Sequence, residues 1–178
     1  FQSTIDWDAA SGWTKTNIDA TIYTTDNGSI LQYATWNGVT GTNGGSRYIA
    51  MAQGFWVKTS VSNPVLQANE NSKAAGTQTT FFRESSPQNL LRITLLKGST
   101  RDETVIHFRD DATENFDAYA DGLKLPNGTF NLSSLQSDGK KLAINSLSSI
   151  ACGSAIKLNI ENAVDGGYTL NFSNYQSF

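Results

Sequence analysis

The sequence predicts an all-β protein, an antiparallel β-sandwich of jelly-roll-like outline or two small sandwiches in series. Three observations carry that expectation. Apolar residues recur at every second position in the later part of the chain, helical periodicity is nearly absent, and glycine-containing turn signals fall between the alternating runs. One apolar and one wet face per strand is the mark of antiparallel sheets packed face to face.

In chain order, the N-terminal stretch Ile5-Asp6-Trp7-Asp8-Ala9-Ala10-Ser11-Gly12-Trp13 is polar apart from its aromatics. Strand candidates follow around Ile30 to Trp36 and Gly54 to Thr59, separated by Asn37-Gly38 and Asn43-Gly44-Gly45. Asp26-Asn27-Gly28 gives a further turn signal before them. Such residues supply the positive φ that tight β turns require. Asn69 to Thr80 has almost no apolar content and reads as a connector, after which come Phe81 and Phe82.

The regular strands follow. Leu91, Ile93 and Leu95 alternate with Arg92 and Thr94; Ile106 and Phe108 flank His107. Ile156, Leu158 and Ile160 alternate with Lys157, Asn159 and Glu161, and Tyr168, Leu170 and Phe172 with Thr169, Asn171 and Ser173. Their apolar residues other than Tyr168, with Leu142 and Ile144, define one expected core, leaving Thr94, His107 and Asn159 in solvent. Ala112 to Leu125 is the one stretch with helical character, and Gly122 favours a turn or a short helix there. Asn127-Gly128, Asp138-Gly139 and Asp165-Gly166-Gly167 mark the remaining turns. All four tryptophans precede Thr59, so the chain divides into a Trp-rich β half, residues 1–76, and a β-sandwich half, residues 77–178. The boundary is soft, and one core shared by both halves fits equally.

Composition narrows function. A net charge of -3 and a pI near 5.0, with charges of both signs interspersed, argue against nucleic-acid partners. No apolar run approaches the roughly 20 residues of a membrane helix, so membrane insertion is not expected. A single cysteine, Cys152, precludes an intramolecular disulfide. A signal peptide is expected to lie upstream or to have been removed.

Candidate sites are few. His107 lacks any Gly-x-Ser-x-Gly elbow to support a nucleophile, and no enzymatic activity is expected. Asp6 and Asp8 are a carboxylate pair, but two acids flanking one residue more often order a loop than work as acid and base. Trp7, Trp13, Trp36 and Trp56 are candidates for a platform that stacks on sugar rings, the alternative being that they pin loops to the core. Asp110, Asp111 and Asp117, within an acidic run that includes Glu114 and Asp121, offer hard oxygens for a structural calcium ion. Without EF-hand spacing, local side-chain-to-backbone turns explain them as well. No other cofactor is expected.

Several stretches carry a resemblance. Ile5 to Trp13, Tyr33-Ala34-Thr35-Trp36-Asn37-Gly38, Gly54-Phe55-Trp56-Val57-Lys58, Asp102 to Ile106, Asp110 to Thr113, Phe116-Asp117, Ala118-Tyr119, Lys124-Leu125, Leu142 to Leu147 and Gly167 to Leu170 resemble one region of very large secreted Bacteroidetes proteins. There it precedes the sorting domain of the type IX secretion system. The resemblance implies export, an extracellular or outer-surface location, and a structural or adhesive role in a surface protein or fibre. A carbohydrate-binding module is the alternative. It also implies a Trp-Asn-Leu-Ile-Gly-Asn-Pro strand ahead of Phe1, whose place other copies or other segments of the parent protein could take by strand addition. Glycans are the other expected partners.

Overall fold

The computed structural model describes residues 3–25, 30–59, 61–74, 88–148 and 155–174. The fold is all-β, about half of it strand, and the described residues include no α-helix. Fifteen strands run β1 (Ile5–Asp6), β2 (Trp13–Thr16), β3 (Ile18–Thr25), β4 (Tyr33–Trp36), β5 (Gly41–Thr42), β6 (Tyr48–Ile49), β7 (Phe55–Thr59) and β8 (Val65–Ala68) in the first half. The second half holds β9 (Leu90–Lys97), β10 (Thr100–Phe108), β11 (Gly122–Leu123), β12 (Asn131–Leu135), β13 (Lys141–Leu147), β14 (Lys157–Glu161) and β15 (Thr169–Ser173).

The first half forms a four-stranded sheet, β5-β4-β3-β7, flanked by the pairs β1–β6 and β2–β8. Its core gathers Ile5, Trp7, Ile18, Ile22, Trp36 and Ile49, with Trp13, Phe55 and Val57 packed against them. The expected connector is docked rather than loose at its start. Glu70–Ser72 forms a single 3-10 turn capped by Asn69, Ser72 is buried, and the Asn69 amide donates to the Gly12 carbonyl at 2.8 Å. Gly12 permits this approach: its φ is +97°, and a Cβ there would lie 2.2 Å from the Ser72 nitrogen. The rest of the connector, with Phe81, Phe82 and the expected domain boundary, lies outside the described residues, as do Cys152 and the turn signal at Asp26.

The second half forms one seven-stranded sheet, β14-β12-β13-β10-β9-β15, with β11 also on β13. It curls like half a barrel, not like one of two facing jelly-roll sheets. It is also mixed, which corrects the purely antiparallel expectation: β10 and β13 run parallel, Val105 opposite Ile144 and Phe108 opposite Leu147. A parallel pair needs a long crossover, here the stretch between β10 and β13, and both faces of such a pair are normally covered. Six consecutive residues of β10, Asp102–His107, are accordingly buried.

The expected core needs two further corrections. Ile93, Leu95, Ile106, Leu142 and Ile144 are buried, but Ile160, Leu170 and Phe172 are 45%, 39% and 52% exposed. The last three lie on β14 and β15, the outermost strands, where the curled sheet no longer covers its inner face. Conversely His107, expected in solvent, is buried. Its ladder partner Ser146 lies beneath the segment around Ala120 and Asp121, which bonds Ser146 through both its hydroxyl and its amide. Thr94 and Asn159 are half-buried. The stretch from Ala112 to Leu125 resolves into turns and the short β11.

A buried polar seam joins the halves. Thr21 Oγ1 donates to the Asp121 carbonyl at 2.7 Å, Asn37 Nδ2 to the Ala120 carbonyl at 2.6 Å, and the Ala20 amide to the Ala118 carbonyl at 2.9 Å. The Tyr23 hydroxyl accepts from the Leu123 amide at 2.9 Å. Buried backbone groups need such partners, and an unmet one costs about 1–3 kcal/mol.

Candidate functional site

The tryptophans do not build a platform, which corrects that expectation for three of them. Trp7 is 1% and Trp36 8% exposed, and Trp13 packs against the same cluster. Their indole N–H groups are spent internally: Trp7 on the Ala20 carbonyl, Trp13 on the Asp6 carbonyl, and Trp36 on Asp8 Oδ2. The Lys15 ammonium sits 3.6 Å from the Trp7 ring centroid, and burial lowers its pKa below the usual lysine range. Trp56 differs, at 47% exposed and edge-on to Tyr33 at 5.5 Å. Asp6 is held by a bidentate Arg47 at 2.7 and 2.9 Å, so the Asp6–Asp8 pair orders its loop.

The acidic run is split. Asp110 and Asp111 are exposed, and Asp111 is bound by Arg109 at 2.8 and 2.6 Å. Asp117 Oδ1 accepts from the Tyr119 amide at 2.8 Å, a local turn. Asp121 points inward, taking the amides of Asp117 and Ser146, and burial pushes its pKa up to about 6. Among the described residues, no group of three or more His, Cys, Asp or Glu side chains could hold a metal. Near Asp121, the Ser146 hydroxyl donates to the Ala120 carbonyl at 3.1 Å. Burial first, then the Arg109 charge, lowers the His107 pKa, and its Nδ1 is buried without a partner.

What the structure does assemble is a cleft of about 420 Å³ that sequence reasoning did not single out. It lies where the turn between β9 and β10 meets the connection from β14 to β15. It is lined by Lys97 and Thr100, by Asn127 to Phe130, and by Asn162, Val164 and Tyr168. Phe130 and Tyr168 meet edge to face at 5.3 Å, and Lys97 Nζ stands 4.9 Å from the Tyr168 ring. Lys97 also donates to the Asp165 carbonyl at 2.8 Å, tying the connecting loop to β9. Asn127 is 6% exposed. Its Oδ1 accepts from the Tyr33 amide at 2.9 Å, while its Nδ2 is buried without a partner. An aromatic wall beside amide and hydroxyl groups suits a neutral, hydroxylated ligand. Its described lining has no carboxylate or imidazole for acid–base work.

The second missed cluster lies in the interior. Asp102 and Lys124 form an ion pair whose side chains are 0% and 4% exposed, with Nζ 2.5 Å from each carboxylate oxygen. Asn43 Nδ2 donates to Oδ1 at 2.8 Å, and the Leu132 amide to Oδ2 at 2.6 Å. Beside it, Glu103 accepts from the Asn43 amide at 2.8 Å and from Arg92 at 3.0 Å. Burial lowers the Lys124 pKa against the opposing pull of Asp102. The one sequence signal is a lysine between Leu123 and Leu125, which alternation alone assigns to a wet face.

No curated protein and no solved structure matches the chain. A family model does match, over residues 4–178, and the chain therefore belongs to the family described as Domain of unknown function (DUF8693).

Proposed function

We propose that the chain is a non-catalytic structural and adhesive module of a secreted bacterial surface protein or fibre, joined to its neighbours by strand addition. The observation that carries this reading is the outer edge of β7. The first-half sheet ends there in the order β5-β4-β3-β7, and no described strand pairs with that edge. The opposite edge of β4 is covered by β5. An open edge next to an exposed tryptophan is a template for another strand. A head-to-tail contact of this kind does not close unless its rotation forms a ring, so it extends into filaments.

The test is sedimentation of the purified chain over rising concentration, alone and with a Trp-Asn-Leu-Ile-Gly-Asn-Pro peptide. Association weakened about tenfold or more by Trp56→Lys, and untouched by Phe172→Lys on the edge strand β15, supports the reading. A monomer at every concentration that ignores the peptide overturns strand addition at β7, as does association abolished by Phe172→Lys instead.

A second reading, carbohydrate binding, draws on the cleft between Lys97, Asn127 and Tyr168. Asn127 and Tyr168 both line that cleft, and the buried Nδ2 of Asn127 lacks a partner that a ligand hydroxyl reaching it could supply. Specific glycan-array binding lost in both Tyr168→Ala and Asn127→Ala supports it; binding unchanged in both removes it.

A further inference from the structure

The buried Asp102–Lys124 pair is an unusual investment. Taking two charges out of water costs several kcal/mol per ion, which a simple ion pair seldom recovers. Nζ lies 2.5 Å from both Oδ1 and Oδ2, which puts it within roughly 3 Å of Cγ but in the carboxyl plane, so the amine must lift out of that plane to face the carbon. Each oxygen is already gripped by a fixed N–H, from Asn43 Nδ2 and from the Leu132 amide. Two donors aimed at carboxyl oxygens form the kind of hole that stabilises a tetrahedral oxyanion. With side chains 4% and 0% exposed, the pair is shielded from water.

We propose that Lys124 and Asp102 condense spontaneously into an intramolecular isopeptide bond. A proton first passes from Nζ to the carboxylate, leaving a neutral amine beside a neutral carboxylic acid. Burial lowers the Lys124 pKa, which eases the release of that proton. Nζ then bonds to Cγ, and the tetrahedral oxyanion is held by Asn43 and Leu132. The C–OH bond breaks, and the hydroxyl leaves with one amine hydrogen as water. The other hydrogen stays on the amide nitrogen. No oxidant, metal or co-reactant is consumed. The bond ties β10 to the segment after β11, closing a loop between positions 22 apart in sequence. The inference does not depend on the surface-module reading.

Intact mass spectrometry of the purified, denatured chain is the test. The wild type is expected one water lighter than its sequence mass. A digest should contain one branched peptide joining the segments around Asp102 and Lys124. Lys124→Met and Asp102→Ala should each restore the full mass, which denatured protein reports whether or not the variant folds. Asp102→Asn is expected to lose ammonia instead of water, because the leaving group is then the amide nitrogen. Asn43→Ala, a positioning change, should slow the reaction in freshly made protein. A wild-type chain at full mass after prolonged incubation overturns the proposal. So does a water loss that maps to an Asp-Gly succinimide, for example at Asp121, Asp138 or Asp165.

Discussion

Strands β10 and β15 stand two places apart in one sheet, with β9 between them. In sequence both show the same device, apolar residues at alternate positions. Their fates are opposite: β10 is buried on both faces from Asp102 to His107, whereas every residue of β15 is exposed. Leu170 and Phe172 sit opposite Leu95 and Ile93, both buried, and are still half in solvent. Alternation therefore reports which face a side chain takes. How deep that face lies depends on where the strand falls in the sheet order, which is a long-range property. The covered second face of β10 also explains why its polar residues, Asp102, Glu103 and His107, became interior groups that needed partners.

The largest effect should come from breaking the polar interior of this inner strand. Lys124→Met leaves the Asp102 carboxylate buried beside two donors and no counter-charge, at an expected cost of about 3–5 kcal/mol in urea unfolding. The double change Asp102→Leu with Lys124→Met should recover the share of that loss due to the stranded carboxylate, but not the share due to the missing cross-link. Equal losses in single and double variants would mean that the cross-link or the volume of the site matters rather than the stranded charge. Next, Leu132→Ala and Ile144→Ala should each cost about 2–5 kcal/mol, because both are fully buried and leave a cavity.

A smaller effect separates two buried titrating groups of the second half by pH. Burial raises the Asp121 pKa to about 6 from 3.8, so the folded state holds its proton more tightly than the unfolded chain does. Its contribution is fully present below 3.8 and is lost as pH rises through about 6. His107, lowered from 6.5, acts oppositely, with its share present above 6.5 and lost as pH falls through its lower folded value. Asp121→Asn should therefore flatten the loss of stability between about pH 4 and about pH 7, and His107→Gln should steepen it. Thermal melts across that range check both signs.

These contrasts show what the sequence could disclose. The all-β class, the strand positions in the second half and most turns were legible because they depend on neighbours two to four residues apart. Gly38, Gly44, Gly139 and Gly166 all take the positive φ their turn signals imply. The parallel β10–β13 pair was not legible, since nothing local distinguishes it from an antiparallel one. The site residues were hidden for a related reason. Asn127 and Phe130 come from the connection between β11 and β12 and Tyr168 from that between β14 and β15, and Lys124 meets Asp102 only after the crossover between β10 and β13 has closed. The tryptophans misled because an aromatic's sequence context does not say whether its ring face ends in a core or in solvent.

The smallest expected effect tests the comparison at its weak end. Phe172 and Leu170 look like core residues in sequence, and truncating a true core phenylalanine costs about 3–5 kcal/mol. Phe172 keeps 52% and Leu170 39% of its surface in solvent, so only part of each transfer energy is at stake. The outer edge of β15 has no described strand beside it, so the vacated space opens to water and no sealed cavity forms. Phe172→Ala and Leu170→Ala should thus each cost under about 1.5 kcal/mol, close to the share of side-chain transfer energy their partial burial would retain. Ile93→Ala, the ladder partner of Phe172, is the matched control and should cost at least twice as much. If Phe172→Ala proves as damaging as Ile93→Ala, then β15 is covered in solution by something beyond the described residues. Sedimentation of the same variants would then show whether that cover is a second copy, because its loss would lower the association state in step with stability.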